Sequence, residues 1–401
     1  MSRGAGLITV EEHRARVLAA AAPLPVESVP LAAAHGLCLA EPIAAREPVP
    51  PWRNSAMDGY AVRHADLAPG LPAELRVVAD LPAGSGLDPA LGPGEAARIM
   101  TGAPLPTDAD TVVPIELTDR GTETVRIESD PGPGRHVREA GEDKAPGDPV
   151  APAGAVATPE VISALASTGH GAVPARRRPR LAVIATGSEL VEPGRPLERG
   201  RIPDSNSLLV AGLAREAGAE VAAALRVGDD AGELERAVAG CAAADLVVLT
   251  GGVSVGAHDP VKELFSGGDE VRFDRVSMQP GKPQAFGRLA AGPLLFGLPG
   301  NPVSAWVSFH VFVEPALRAM QGRSPVVPEP VPAVARSPWR ARTERDQYLP
   351  AVIADLPEGR TVAPAAAGGS GSHLVASLAG ANGYAIVPAG AGRVAAGDVV
   401  A

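Results

Sequence analysis

The sequence predicts a multi-domain α/β protein built on a central doubly wound parallel sheet. Three observations predict it. From Arg180 to Gly322, short apolar runs alternate with helical runs, and the apolar runs end in glycine-rich turns. On either side, prolines and glycines cut the chain into short alternating runs that read as small β domains. A length of 401 residues is also more than one core needs and enough for several. The chain divides accordingly. An N-terminal helical and extended linking domain is formed discontinuously by residues 1–44 and 148–178, and a small mostly-β domain at 45–147 is inserted into it. The α/β domain follows at 179–324, and a small C-terminal β domain at 325–401.

Composition narrows the class of function. Hydrophobic residues make up 45% and charged residues 20%, the balance of a globular chain rather than a disordered one. The net charge of −10 argues against a general binder of nucleic acid or anionic membrane, while leaving room for a local anion site. Cys38 and Cys241 have no CxxC spacing, so no disulfide framework is expected and a reducing cytoplasm fits. The opening MSRGAGLITVEEHRAR lacks the apolar core of a signal peptide, and no apolar run of about 20 residues occurs. The expectation is a cytoplasmic protein with no nucleic-acid or membrane partner.

Thr9 and Glu12 form a T-x-x-E capping box that predicts a first helix over 10–22, stopped by Pro23 and Pro25. Residues 28–42 read as extended chain with a short turn. Within the inserted domain, the runs 74–79, 96–100, 111–117 and 124–127 read as strands. Two of its loops exceed what turn chemistry needs: Pro51 to Tyr60 and Thr101 to Pro106. A turn requires Gly or Pro, but not also a Trp, a Met and a carboxylate in one loop. Thr158, Pro159 and Gly169 bracket a second helix, expected to pack with the first so that the two flank the insertion. Arg176, Arg177, Arg178 and Arg180 read as a solvated linker.

In the central domain a buried strand at 181–185 ends in Thr186-Gly187-Ser188-Glu189. A helix at 206–217 and a strand at 220–227 lead to Gly228-Asp229-Asp230. The helix at 231–244 puts Leu234, Val238 and Cys241 on one face, which makes Cys241 a core residue rather than a nucleophile. A strand at 246–249 feeds the turn from Thr250 to Asp259, and a short helix follows at 260–265. The run 271–276 leads to Gln279-Pro280-Gly281-Lys282-Pro283. A strand at 294–298 ends in Pro299-Gly300-Asn301 and opens a long helix kinked near Pro315. Alternation of this kind implies a parallel sheet with right-handed crossovers and a ligand site off the carboxyl ends of its strands. From Pro325 prolines return, and the tail reads as a small β domain whose most permissive loop is Gly368 to Ser372.

The polar turns therefore converge on one cleft, collecting Glu189, Asp229, Asp230, Asp259 and Lys282 beside glycine-rich backbone. Turn N–H groups suit phosphate or another oxyanion, and the helix start at Asn301 adds its dipole. Carboxylates clustered beside an anion call for a cation, and Mg²⁺, which takes oxygen ligands and bridges phosphates, is the expected one. Blander roles stand beside these. Asp204 can be a helix cap, Asp259 can cap the helix that begins at Pro260, and Asp229 or Asp230 can cap the next helix. The histidines show no ligand spacing, His258 is the one in a site loop, and zinc is not expected. No G-x-S-x-G, Walker or G-x-G-x-x-G signature occurs, which weighs against hydrolase, NTPase and dinucleotide readings.

Several long motifs, in order, carry a family resemblance: PPWRNSAMDGYAV, TGAPLPTDADTVVPIE, VREAGEDKAPGD, IATGSELVEPG, LTGGVSVGAHDPVKE, QPGKPQAFG, LPGNPVSAWVSF and GSGSHLVASLAGANGYAIVP. The chain resembles the molybdopterin molybdenumtransferase (MoeA) family, whose fold is shared with the C-terminal half of gephyrin. The resemblance makes the central domain a molybdopterin-binding domain. It implies insertion of molybdate into adenylylated molybdopterin with Mg²⁺-dependent release of AMP. It also implies an elongated homodimer, with each site lying between the α/β domain of one subunit and the small β domain of the other. Asp58 and Thr101 would then be lent across the interface to act with Glu189, Asp259 and Lys282.

On the same resemblance, substrate would be held by Thr186, Gly187, Ser188, Gly251, Gly252, Ser254, Gly256, Gln279, Gly281, Pro299, Gly300, Asn301 and Ser304. Mg²⁺ would bind Asp229, with Glu189 a second ligand. Molybdate, a tetrahedral dianion, needs cationic and N–H donors such as Lys282 and the glycine loops. Loss of its oxo ligands needs protons, which Asp259 or Glu189 would shuttle if neighbours raise its pKa. One departure stands out: many relatives read K-P-G-K where this chain has Gln279-Pro280-Gly281-Lys282, and Arg201, Arg272 or Arg275 would have to compensate. Molybdopterin adenylyltransferase and molybdoenzyme maturation factors are the expected partners. A tungstate-inserting paralogue and a gephyrin-like scaffold are the alternative readings; the intact acids favour the enzyme.

Overall fold

Thr9 caps the first helix, α1 (Val10–Ala20), as its spacing predicts. Its hydroxyl accepts the Glu12 N–H at 3.0 Å, and the Glu12 carboxylate accepts the Thr9 N–H at 2.8 Å. Thr158 likewise caps α2 (Pro159–Ser167), accepting the Val161 N–H at 3.3 Å. The computed structural model describes residues 7–252, 260–265, 270–341, 344–366 and 371–401.

The central sheet has six strands: β1 (Arg180–Thr186), β2 (Glu220–Val227), β3 (Leu246–Thr250), β4 (Val271–Arg275), β5 (Pro283–Arg288) and β6 (Leu294–Leu298). Their spatial order is β2-β1-β3-β6-β5-β4. The first four are parallel; α3 (Asn206–Glu216) joins β1 to β2, α4 (Ala231–Gly240) joins β2 to β3, and α5 (Pro260–Phe265) lies between β3 and β4. The sheet is not parallel throughout: β5 runs antiparallel to β6, and β4 antiparallel to β5. The connections explain this. A parallel pair needs a crossover of about a dozen residues or more, whereas β5 returns into β6 through a turn closed by Leu289 N–H on the Pro293 carbonyl at 2.9 Å. One face of the sheet is covered by α1, α3 and the helices after β6, and the other by α4 and α5, with Cys241 buried in the second core as its spacing required.

The long helix after β6 is α6 (Pro302–Ser308), a π-helical turn over Phe309–Val313, and α7 (Glu314–Gln321). The break expected near Pro315 takes this form because Pro315 has no N–H to give and its ring crowds the preceding turn; a wider turn accommodates both.

Two expectations fail. The first helix does not pack with the second. Val10 and Val17 of α1 lie in the central core with Val311, Phe312 and Leu317, while α2 buries Leu165 beside Leu39, Ile43 and Val173. The N-terminal segment is tied to the antiparallel edge instead. Ile8 exchanges backbone hydrogen bonds with Arg275 and Ser277 at 3.0 and 2.7 Å, and Asp274 accepts Arg16 at 3.0 Å with His13 Nδ1 3.1 Å away. The arginine run is not a solvated linker either. Arg177 donates both arms of its guanidinium to Asp245 at 2.6 and 2.8 Å, Arg178 reaches the His35 carbonyl at 2.8 Å, and Arg176 reaches that of Leu24. A planar donor fork matches a carboxylate in two places, so a basic run beside a half-buried aspartate becomes a clasp.

The inserted domain carries a five-stranded mixed sheet in the order 111–114, 59–62, 95–99, 73–81, 124–127. In the C-terminal domain a strand at Met278–Gln279, from the central domain, pairs in parallel with Asp346–Leu356. The Gln279–Lys282 loop thus stands on the seam between these two domains.

Candidate active site

A cleft of about 980 Å³ opens at the carboxyl ends of β1, β3 and β6. The ends of β1, β3 and β6 line it through Gly187, Gly251, Gly252 and Gly300, and at Gly251 a side chain would collide with backbone. A Cβ on Gly251, where φ is +93°, would lie 2.6 Å from the Thr186 carbonyl oxygen. Gly300 comes so near Gly251 that its own Cβ would stand 3.5 Å from the Gly251 Cα. The turns expected to converge do so: Thr186, Gly187 and Glu189, then Gly251 and Gly252, then Pro299, Gly300, Asn301 and Ser304 all line the cleft.

The carboxylates sort themselves by local hydrogen bonding. Asp230 caps α4 by accepting the Glu233 N–H at 2.7 Å, and Asp204 caps α3 by accepting the Ser207 N–H at 3.0 Å. Asp229 is thereby left to the cleft, where an exchange with Ser188 orients it. The Ser188 N–H donates to Asp229 Oδ2 and the Asp229 N–H to Ser188 Oγ, each at 3.1 Å. Glu189 and Asp229 are both exposed and both line the cleft. Among the described residues, no group of three His, Cys, Asp or Glu side chains stands ready to hold a metal by itself. Asp259, Ser254, Gly256 and His258 lie outside the described residues.

Lys282 lies next to Pro283, which lines the cleft. Its ammonium is pushed below the usual lysine range, first by lost solvation and then by Arg275 and Arg345. Gly281, at φ +101°, holds the loop: its carbonyl accepts Gln284 Nε2 at 2.6 Å, and the same nitrogen donates to Ser308 Oγ at 2.7 Å. The Gln279 backbone pairs with Gln347 across the domain seam, and Gln279 is not among the residues that line the cleft. Of the cations expected to compensate for it, Arg275 is the one the electrostatics of Lys282 brings in, together with Arg345; Arg201 instead donates to the Ser188 carbonyl.

Asp58 and Thr101 find each other but not this cleft. Asp58 Oδ1 accepts the Thr101 N–H at 2.7 Å and its hydroxyl at 2.8 Å, and these bonds hold the carboxyl below the usual carboxylate range. Both residues are exposed, and so is Trp52 of the same loop as Asp58, at 54%.

Several residues that line the cleft escaped the sequence reading, His373, Val375 and Asn206 among them. His373 and Val375 line the cleft from the C-terminal domain. Their loop is docked on the start of α6, where Asn301 Nδ2 donates to Ser372 Oγ at 3.2 Å and the Val303 N–H to the Ser372 carbonyl at 3.3 Å. Asn206 lines the cleft too, with its amide nitrogen on the Gly300 carbonyl at 2.7 Å. The Gly-Ser-rich stretch before His373 was the available signal for the first two; for Asn206 there was none beyond its place at a helix start.

Residues 8–169 match the MoeA N-terminal region (domain I and II), residues 182–319 a probable molybdopterin binding domain, and residues 332–401 the MoeA C-terminal region (domain IV). The chain is 42% identical over 403 residues to molybdopterin molybdenumtransferase 2 of Mycobacterium tuberculosis, with 97% of each chain covered. Two crystal structures of molybdopterin biosynthesis MoeA proteins from Pyrococcus horikoshii superpose with TM-scores of 0.81 and 0.78, at 30% and 26% identity. They cover 98% of this chain and 98% and 99% of their own.

Proposed function

Because the chain belongs to the molybdopterin molybdenumtransferase (MoeA) family, and is therefore a transferase of molybdenum cofactor biosynthesis that inserts molybdate, we propose that its strand-end cleft binds adenylylated molybdopterin and molybdate and releases AMP as the metal enters the dithiolene. The observation that carries the proposal is the convergence of glycine turns and two exposed carboxylates at one cleft, with Lys282 adjoining Pro283 of its lining.

The glycine turns at Gly187, Gly251, Gly252 and Gly300 let backbone approach a diphosphate closely. Molybdate is assigned to the Lys282 edge, where Arg275 and Arg345 add positive charge. Each oxo oxygen that thiolates displace from molybdate leaves as water and takes up two protons. Lys282, which gives up its proton more readily than an isolated lysine, is suited to hold and pass one, and Glu189 is the second carrier within the described residues. Asp259 keeps its assignment as a further carrier from its place in the chain, immediately before α5.

Mg²⁺ fits the donor set. It usually takes one or two protein carboxylates and keeps phosphate oxygens and waters for the rest, which is what Asp229 and Glu189 beside a diphosphate offer. When bound it would neutralise diphosphate charge. Asp58 and Thr101 are assigned to the cleft of a partner subunit in a homodimer, since their exposed loop does not line the cleft of its own chain. An adenylyltransferase would supply the substrate and maturation factors would take the product. No helix among the described residues is long and apolar enough to cross a membrane, in keeping with work in the cytoplasm.

The test is turnover of adenylylated molybdopterin by the purified chain with molybdate or tungstate, with and without Mg²⁺. AMP release should need Mg²⁺ and match the metal inserted. AMP release without metal insertion, or neither, would overturn the proposal; the two oxyanions would show which is preferred.

A further inference from the structure

Among the described residues, two buried polar atoms in the cleft have no hydrogen-bond partner. Thr250 is 2% exposed and leaves Oγ1 unbonded; Asn206 is 9% exposed and leaves Oδ1 unbonded. Both residues line the same cleft. They are joined through close backbone, since Asn206 holds the Gly300 carbonyl and Gly300 packs on Gly251, the residue after Thr250. A buried unpaired group is destabilising, and interiors rarely tolerate two together without something to complete them.

The chemistry of the missing partner is constrained. The Gly300 carbonyl can only accept, so the amide end that faces it at 2.7 Å is the NH₂, and the unpaired end is the oxygen. An amide oxygen accepts and cannot donate. A hydrogen-bonding partner for it carries an N–H or O–H, which excludes a phosphate or molybdate oxygen at that point. The Thr186 hydroxyl is already committed to the Thr250 carbonyl at 3.3 Å, so it does not answer the need.

We propose that Asn206 and Thr250 read the N–H edge of the substrate's heterocycle, fixing the ring in the cleft while the glycine turns take the diphosphate. The inference rests on the function proposed above. Both rings of adenylylated molybdopterin, pterin and adenine, present such an edge, and the test separates them.

The variant is Thr250→Val, which removes the hydroxyl and keeps the shape. Because that oxygen bonds nothing in the protein, the thermal midpoint should hold or rise, whereas a structural hydroxyl would lower it. Calorimetric titration of wild type and variant uses three probes: molybdopterin, AMP and inorganic phosphate. A loss of about tenfold, one hydrogen bond's worth, on molybdopterin or on AMP with phosphate unchanged supports the inference, and the affected probe names the ring. Asn206→Ala should lose affinity for the same probe; its midpoint will fall, since it also gives up the Gly300 bond. Unchanged affinities for both ring probes overturn the inference, as do equal losses on all three. Wild-type protein that binds neither ring probe overturns the functional reading itself.

Discussion

Replacing Asp245 with Asn should loosen the junction between the linking domain and the central sheet. Asp245 accepts three hydrogen bonds: Arg177 Nη1 at 2.6 Å and Nη2 at 2.8 Å, and the Arg180 N–H at 2.7 Å. Its side chain is 15% exposed and that of Arg177 35%, so the pair is partly screened. A hydrogen bond to a charged group contributes about 1.5–3 kcal/mol. An amide keeps one acceptor but turns NH₂ toward one guanidinium arm, and partial exposure moves the loss to the low end. The expected cost is about 1.5–2 kcal/mol, or about 3–8 °C in the midpoint of the transition that includes the central domain. The pH dependence has a definite sign. Burial pushes the Asp245 carboxyl up, and the Arg177 and Arg180 bonds more than offset it, so the folded pKa lies below the ordinary value. A depressed carboxyl contributes stability that is present above the unfolded pKa, about 3.9, and lost as pH falls through the lower folded value. Urea denaturation of wild type and Asp245→Asn at pH 7 and pH 3 should therefore show the full penalty at pH 7 and a smaller one at pH 3. A penalty below about 0.5 kcal/mol at pH 7, the noise of a surface change, or an equal penalty at both pH values, would refute the reasoning.

Other perturbations give distinct signatures. Gly251→Ala adds a Cβ 2.6 Å from the Thr186 carbonyl at a φ of +93°. It should cost about 1–3 kcal/mol in denaturant titration and raise KM as the strand ends part. Asp229→Asn should leave stability nearly unchanged and raise the Mg²⁺ concentration for half-maximal AMP release by about tenfold; an unaltered Mg²⁺ titration removes Asp229 from the cation site. Thr158→Ala deletes the α2 cap and should cost about 1 kcal/mol without touching turnover, which separates a stability change in the linking domain from one at the cleft.

Much of the fold was legible because its signals are local. Capping residues at Thr9 and Thr158, glycines after apolar runs, and the face shared by Leu234, Val238 and Cys241 each specify their own neighbourhood. The strand β5 was not legible at all, since PQAFGR is no apolar run, and the antiparallel direction it imposes on its neighbours rests on the short turn at 289–293. Long-range pairings were hidden as well. Asp245 is 68 residues from Arg177, and Asp274 is 258 from Arg16, so no window of sequence joins an arginine run to its clasp or α1 to its sheet edge. The cleft was foreseen where strand-end glycines define it and missed where another domain contributes, at His373 and Val375. Asn206 was missed for a different reason: its importance lies in a bond it lacks, and only a burial map shows that.

The central claim is that one working site is assembled from the strand-end cleft of one subunit and the Asp58–Thr101 loop of another. Mixing two inactive variants measures it most directly. Asp58→Ala and Glu189→Gln, unfolded together and refolded as a 1:1 mixture, form hybrid dimers in which one of the two sites has both residues intact. The account predicts recovery of about a quarter of wild-type AMP release, since half of the dimers are hybrids with one good site each. Recovery near zero, with the hybrids demonstrably formed, would show that each chain builds its site from its own residues and would contradict the account.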